Sequence, residues 1–548
     1  MAMTFEEKLR NYSAEEIWQE YCSFLDLSLE EYMTIQKRLL MEQIDLMAHC
    51  SLGQRFFRKG VPTSVEEFRS MVPLTKFEDY ADVLIPQKEE MLPEKPVLWL
   101  QTTWEGGDFP SKRAPYTEAM LETYKTNIIG AMLLSTSHGR NTFSVRPGMR
   151  VLYSLAPMPY ATGMFPDLIH PEINLRFMPS VREARKMSFS QQMKNGYKLA
   201  IQKDMNLFFG MSSVLYGATR SLDMLTQNSG GHIRLKDLLS FRPKMLYRLL
   251  TAKYREKRDG TPIRPKDLFH LQGFVCVGTD TALYRDELEE AWGIRPLEIA
   301  GGTEPTCMGT ETWSKNGLVL FPDACFYEFI PETELRREMA DPNYVPNTYL
   351  MNELVAGQNY ELVITVLHGG AFLRYRVGDV YRCLRLRNAS DRLDLPQFEY
   401  VDRIPSVIDI AGFTRITQRE IEKVIRLSRL PIAHWFAVKE YGEQNRSFLN
   451  LYVELDMEDA DANTIGCQLL RDHLALYFHS YDGDYSDLKR LLNTDPLKIT
   501  VIKSGSMERY TTITGEQIPP VGATRETVLE ILRLQTANDS EGGDRACH

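Results

Sequence analysis

Long apolar runs are missing from this sequence. No stretch approaches the roughly eighteen residues needed to cross a bilayer, which excludes a helical membrane protein. The first residues, Met1 to Asn11, are charged and hold no apolar core, so they do not read as a secretory signal. Cysteine is sparse and scattered, with 8 in 548 residues, at 22, 50, 276, 307, 325, 383, 467 and 547. No C-x-x-C pair occurs, so neither a zinc site nor a disulfide framework is indicated, and a reducing, cytoplasmic location is expected. The 10 histidines show no H-E-x-x-H or similar ligand spacing. Positive charge is not in excess either. Lys plus Arg is 64 against 74 Asp plus Glu, a net charge of −10, which argues against a general nucleic-acid binder. No repeat of fixed period is visible, so a solenoid or propeller is not expected.

What is present is an ordinary globular composition. Apolar residues are 43%, charged residues 25% and aromatics 10%, enough for a large core or an apolar pocket. The length allows about three to four domains, or two large ones. Residues 1–60 read as helices, because Ser13 with Glu16 and Ser28 with Glu31 form capping boxes ahead of helically spaced apolar residues. From about Pro73 to Val377, short apolar strands alternate with helical segments, the pattern of a large α/β region. Examples are Pro96–Gln101, Arg150–Leu155, Gly273–Val277 and Leu297–Ala300. Tyr360–Leu367, the turn His368-Gly369-Gly370 and Ala371–Leu386 predict a strand pair. Beyond Asp402 the chain predicts a compact βαβ-like tail. Its parts are a helix after the Thr417/Glu420 capping box, strands Trp435–Lys439 and Phe448–Leu455, a helix around Cys467–Phe478 and a strand at Lys498–Lys503. The expected division is 1–402 and 403–548.

Four segments could carry chemistry. In Leu297–Glu304 an apolar strand runs into Gly301-Gly302-Thr303-Glu304. Glycine admits a close ligand, threonine can donate to a phosphate oxygen, and a carboxylate can hold Mg²⁺ shared with a nucleotide. A strand-end turn with a solvated Glu is the plainer alternative. In Arg374-Tyr375-Arg376-Val377-Gly378-Asp379 the carboxylate has two acceptor oxygens, suited to a ribose diol, or it is paired beside a bulge glycine. Thr102–Arg113 is a polar loop between strand and helix, the context of a phosphate cradle, yet it contains Glu105 and Asp108. Cys276–Asp280 is a Gly turn at a strand end, open to adenine or merely a turn.

These segments, in this order, resemble the ANL adenylate-forming superfamily. The closer resemblance is to the auxin-responsive (Gretchen Hagen type) acyl-acid amido synthetase family. It is carried by Phe326-Tyr327-Glu328-Phe329-Ile330-Pro331, by Asn359–Thr365 with Leu373–Val380, and by Asp484-Tyr485-Ser486-Asp487, Pro496-Leu497 and Gly505. The resemblance implies a large multi-sheet α/β N-terminal domain and a small mobile α+β C-terminal domain. It implies a ligase that uses ATP and Mg²⁺, activates a carboxylic acid as acyl-AMP and transfers it to an amine, usually of an amino acid. By position, Thr303 would contact the α-phosphate and Glu304 would ligate Mg²⁺. Thr103, Lys112 and Gly302 would meet the phosphates, Gly278 and Thr279 adenine, and Asp379 and Arg403 the ribose.

Three positions depart from the family pattern. Thr103, Trp104, Glu105, Gly106 and Gly107 stand where the phosphate loop reads SSGTS. Ala300 replaces the aromatic that begins the Y-G-x-S/T-E motif. Gln517-Ile518-Pro519-Pro520 lacks the tail lysine, for which Lys503 or Lys498 is the available substitute. Acyl-pocket candidates are Tyr160, Met164, Phe165 and Ser212, within Met- and aromatic-rich stretches that could equally be core. Two rival readings stay open. One is an acyl-CoA ligase, because phenylacetate-CoA ligase shares the Pro73-Leu74-Thr75-Lys76 entry and the Ile410-Ala411-Gly412-Phe413…Glu420-Ile421-Glu422 tail. The other is a catalytically impaired protein that binds a nucleotide or acyl ligand.

Overall fold

The computed structural model describes residues 3–102, 111–187, 189–212, 214–216, 219, 242–278, 281–341, 343–403, 407–410, 414–428, 430–442, 447–455, 469, 472, 497–515 and 517–541. Contacts divide the chain into two units, one of Met1–Thr102 with Lys112–Asp402 and one of Thr103–Ser111 with Arg403–His548. Among the described residues no helix is long and apolar enough to cross a membrane.

The first unit begins with helices, as the capping boxes predict. Ser13 and Ser28 accept from the amides of Glu16 and Glu31, and each glutamate returns a carboxylate to its cap. The helix Leu29–Ala48 buries Tyr32, Leu39, Leu40, Ile44 and Met47 together with two glutamines. Both glutamines are satisfied by backbone, as buried amides must be. Gln36 donates to the carbonyls of Pro322 and Cys325 and accepts from the Tyr327 amide. Gln43 donates to the Gly370 carbonyl at 2.8 Å and accepts from the Gly369 amide at 2.9 Å. The helix is thereby fixed to the start of the Cys325–Pro331 strand and to the Gly369-Gly370 turn, distant in sequence.

A short hairpin, β1 (Leu98–Gln101) with β2 (Arg113–Tyr116), stands apart from the main sheet. The main sheet has eleven strands among the described residues. Its parallel half is β3 (Arg150–Ser154), β4 (Arg176–Met178), β5 (Leu207–Met211), β6 (Gly273–Val277) and β7 (Leu297–Gly302). These are short apolar strands separated by helices, and they lie in the order β4-β3-β5-β6-β7. Antiparallel strands continue the sheet through β8 (Thr306–Glu311), β9 (Leu318–Leu320) and β13 (Gln397–Arg403). The far edge is β12 (Tyr375–Arg385), β11 (Asn359–Val366) and β10 (Cys325–Pro331). The predicted strand pair near residue 365 is β11 with β12, but its connection is longer than the Gly-Gly turn, because pairing resumes only at Tyr375.

The charged residues of this edge pack inward. Arg374 is 5% exposed and spans both Glu328 oxygens at 3.0 and 2.8 Å, while its third nitrogen donates to the carbonyls of Arg69 and Val72. Arg376 spans Glu361 and Glu338 in the same bidentate way. Burial pushes the Glu361 carboxyl up against the pull of Arg376. Burial also pulls the Arg376 guanidinium down, but its two carboxylates outweigh that and hold it above its ordinary value. The family-like motifs of β10, β11 and β12 are therefore largely a set of buried, mutually satisfied ion pairs.

The second unit holds a hairpin of β14 (Val407–Ile410) with β15 (Thr414–Thr417), and the helix Gln418–Ser428 follows. Strands β16 (Ile432–Tyr441), β17 (Ser447–Leu455) and β18 (Leu497–Ile502) form a sheet, antiparallel then parallel. Helices Ser506–Thr514 and Arg525–Glu541 cover it over Phe436, Tyr452, Ile502, Tyr510 and Ile531. Gly505 takes a left-handed φ of +79° at the first of these helices. Buried Glu454 accepts from the amides of Gly505 and Met507 there, an acid at a helix N-terminus. Of the expected helix around Cys467–Phe478 only Leu469 and Asp472 are described, both helical; the side chains of the expected Thr417/Glu420 cap lie outside the described residues.

Removing one partner of a buried bidentate pair strands the other charge, at a cost of about 3–5 kcal/mol. Glu328→Ala is expected to lose that much in denaturant unfolding. Glu328→Leu with Arg374→Met is expected to recover most of it. Equal losses in both variants would show that the pair itself is not the source.

Candidate functional site

The carboxyl ends of β6 and β7 carry two of the predicted segments. β6 runs into Gly278, whose φ of +125° is closed to ordinary side chains. Ser212 lies beneath this turn, and its hydroxyl is 3.1 Å from the Thr281 hydroxyl, which donates to the Gly278 carbonyl. The helix Thr281–Trp292 follows and is tied back to β7. Arg285 bridges Glu298 at 2.7 Å and Glu311 at 2.8 Å. Burial and the nearby Glu311 push the Glu298 carboxyl up to about 8. Glu298 is thus a structural acid, and Glu304 is the carboxylate of Leu297–Glu304 left for chemistry.

Beyond β7 the turn Thr303-Glu304-Pro305 is held from two sides. The Tyr116 hydroxyl donates to the Thr303 carbonyl at 2.6 Å. The Tyr375 hydroxyl donates to Glu304 Oε1 at 2.9 Å. Glu304 is only 7% exposed, so the alternative of a solvated strand-end glutamate does not hold. Lys112 Nζ donates to the same Tyr375 hydroxyl at 3.4 Å and lies 5.6 Å from the centre of the Phe77 ring. Backbone bonds fix this lysine at the base of the β1–β2 hairpin. The Thr102 amide donates to the Lys112 carbonyl, and the Lys112 amide to the Thr102 hydroxyl, both at 3.0 Å. Lys112, Tyr375 and Glu304 therefore form one chain of cation, phenol and carboxylate.

Tyr375 is itself immobilised. Its ring is 4.7 Å from that of Phe372, which packs 5.0 Å from Tyr80. The Tyr80 hydroxyl donates to the Leu373 carbonyl and accepts from the Leu373 amide. Thr75, of the Pro73–Lys76 entry, exchanges backbone bonds with Arg374 and Arg376 on either side of Tyr375. Four residues along β12, Asp379 sits in a bulge where Arg376 pairs with Val363 and Val380 with Glu361. Gly378 supplies the positive φ of +82° the bulge requires. Asp379 is 8% exposed.

The acyl-pocket candidates lie in the region of β3, β5 and the 161–169 segment. A cavity of about 210 Å³ is lined by Tyr153, Pro157, Met158, Phe177 and Gln192 among others. Tyr160, Met164, Phe165 and Ser212 are not on its wall. Phe165 packs in a three-ring cluster with Tyr153 at 5.4 Å and Phe209 at 4.3 Å. Met164 is 1% exposed, and Ser212 supports the Gly278 turn.

In the second unit, Arg403 closes β13 and is half-buried. Lys503 is exposed just after β18, and Lys498 lies over the Phe448 ring at 6.0 Å. Gln517–Pro520, where the tail lysine is missing, leads into an extended pairing with β16 through Ala437. Thr103, Thr279, Glu105 and Asp108 lie outside the described residues.

Tyr375 and Tyr116 are the site residues that sequence reading missed. A signal existed for Tyr375. Strand alternation sends its side chain to the face opposite Arg376, and a polar tip on the far face of a buried strand needs a partner.

The sheet, half parallel with an antiparallel extension, belongs to a large α/β fold with loop ends gathered at β6 and β7. Two solved structures share it, each at 15% identity and a TM-score of 0.54. One is AtGH3.15 acyl acid amido synthetase in complex with 2,4-DB, covering 95% of this chain and 97% of that one. The other is 2-hydroxyisobutyryl-CoA ligase in complex with 2-HIB-AMP and CoA, covering 89% and 88%. Residues 318–403 match the GH3 family central domain. The chain is 29% identical over 209 residues to indole-3-acetic acid-amido synthetase GH3.8 of Oryza sativa subsp. indica, covering 36% of this chain and 32% of the relative. It is 26% identical over 254 residues to a probable indole-3-acetic acid-amido synthetase, GH3.9, of Oryza sativa subsp. japonica, covering 42% and 52%. The chain thus matches about a third to a half of these curated relatives' length.

The phenol link can be tested without any substrate. Tyr375→Phe removes a donor from a buried carboxylate and is expected to cost about 1–3 kcal/mol of stability. In a double-mutant cycle with Glu304→Gln the two losses are expected to be non-additive, because the residues touch. Strict additivity in denaturant unfolding would show that the bond is not formed.

Proposed function

We propose that this chain is an ATP-dependent acyl-adenylating ligase of the acyl-acid amido synthetase kind. A substrate carboxylate oxygen attacks the α-phosphorus of ATP, the new O–P bond forms, and pyrophosphate leaves. An amine, of an amino acid by analogy with the family, then attacks the acyl carbon, and AMP leaves as the C–O bond breaks. The convergence of Lys112, Tyr375, Glu304 and Thr303 is the observation that carries this reading.

The roles divide by charge. Lys112 lowers the repulsion between the carboxylate and the phosphates, and the Thr303 hydroxyl donates to the α-phosphate. Tyr375 keeps Glu304 aimed, its hydroxyl donating to Oε1. Asp379 and Arg403 hold the ribose hydroxyls, and the turn at Gly278 flanks adenine. Lys503 is the substitute for the missing tail lysine, carried on a small unit, 403–548, that reorients between the two steps.

Glu304 suits Mg²⁺ in one particular way. Among the described residues no three His, Cys, Asp or Glu side chains gather into a metal site. A single buried carboxylate fits a cation that takes its other oxygens from a nucleotide and water. Bound there, Mg²⁺ would neutralise phosphate charge.

ATP–pyrophosphate exchange over a panel of carboxylic acids tests the first step. Exchange above background is expected with at least one acid, and Glu304→Ala is expected to reduce it by at least about a hundredfold. Background exchange with every acid would favour a nucleotide- or acyl-binding protein without turnover. Offering amino acids and CoA together to the active acid separates amide from thioester formation.

A further inference from the structure

At the opposite edge of the parallel strands lies a second cavity, of about 380 Å³. It opens at the amino ends of β3 and β5, whereas Gly278 and Thr303 follow the carboxyl ends of β6 and β7. Ligands of such sheets bind at the carboxyl ends, so this cavity is not part of the candidate site. Its wall is basic. Arg146, Arg150, Arg242 and Lys244 line it, with one acid, Asp204. Arg248 reaches the same acid from behind.

Of the five cations, two pair with that carboxylate. Asp204 lies 3.5 Å from Arg150 and 3.2 Å from Arg248, whose side chains are only 15% and 10% exposed. Asp204 holds this position with a left-handed φ of +68°, a conformation kept only where the surroundings fix it. Arg150 is further locked by donating to the Asp204 carbonyl at 2.7 Å. No ion pair occupies Arg146, Arg242 or Lys244 among the described residues. The charges are close enough to oppose one another. Burial, then Arg242, push the Arg150 guanidinium below its ordinary value. Burial, then Arg248, do the same to His270 nearby. The helix Pro243–Asp259 starts at the cavity with no acidic residue in its first turn and no side-chain cap, which adds to the positive field.

A protein of net charge −10 concentrates uncompensated positive charge here at an electrostatic cost that a bound anion would remove. We infer that this cavity is a binding site for a small, compact polyanion carrying two or more phosphoryl groups. Its size suits a small molecule. Arg150, half-withdrawn at the floor, is within reach of a group that enters the cavity and not of a flat nucleic-acid backbone. Half of the lining residues are charged and four of those five are basic, so affinity for an anion comes from charge-assisted hydrogen bonds.

Calorimetry of the full chain with inorganic pyrophosphate, without Mg²⁺, is the test. Saturable binding is expected that persists in Glu304→Ala and weakens steeply with salt. The exposed double change Arg242→Glu with Lys244→Glu is expected to lower the affinity at least about tenfold, with an unchanged circular-dichroism melting curve. Absence of saturable binding, or equal affinity in the double variant, overturns the inference. So does a single-stranded oligonucleotide that binds in an Arg242- and Lys244-dependent manner while pyrophosphate does not.

Discussion

Two arginines separated by one tyrosine set much of the first unit. Arg374 and Arg376 are buried on carboxylates from β10, β11 and the helix Glu332–Ala340. A buried ion cannot be left alone, so these pairs fix how the three edge strands and the 69–76 segment are assembled. The residue between them then has no freedom. Period-two alternation and the packed rings of Phe372 and Tyr80 deliver the Tyr375 hydroxyl to Glu304. The ion pairs on one side of the strand thereby become the rigid mount for the site on the other.

The site gathers opposite charges through a neutral group. A direct Lys112–Glu304 pair would satisfy both and leave neither for a ligand. The phenol between them accepts from the lysine and donates to the carboxylate, holding each in place. Glu298, six residues before Glu304 on the same segment, shows the contrast. It is consumed by Arg285 and serves to anchor the helix after the Gly278 turn. The two acids differ in what surrounds them, not in their position relative to an apolar strand.

Much of the candidate site was legible from order and residue type. Thr303, Glu304, Asp379 and Lys112 stand out as polar residues beside glycines, or at loop ends, next to apolar strands. Tyr375 was hidden because a tyrosine in a strand normally reads as core, and its partners are 71 and 263 residues away in sequence. The acyl candidates are harder to read from sequence. Aromatic and Met-rich stretches line pockets and fill cores with the same residues, and Phe165 packs in a cluster with Tyr153 and Phe209.

The sequence by itself determined the helix starts, the strand segments and the turn glycines, since caps, alternation and positive φ are properties of a few neighbouring residues. It also determined which motif residues could carry charge chemistry. Which charges are spent is a decision of the folded chain. Glu328, Glu361 and Glu298 are consumed in buried pairs, Glu304 is steered by a phenol, and Arg146, Arg242 and Lys244 line one cavity with Asp204. That decision depends on burial and on partners brought from distant strands, and the strength of an electrostatic interaction depends on both.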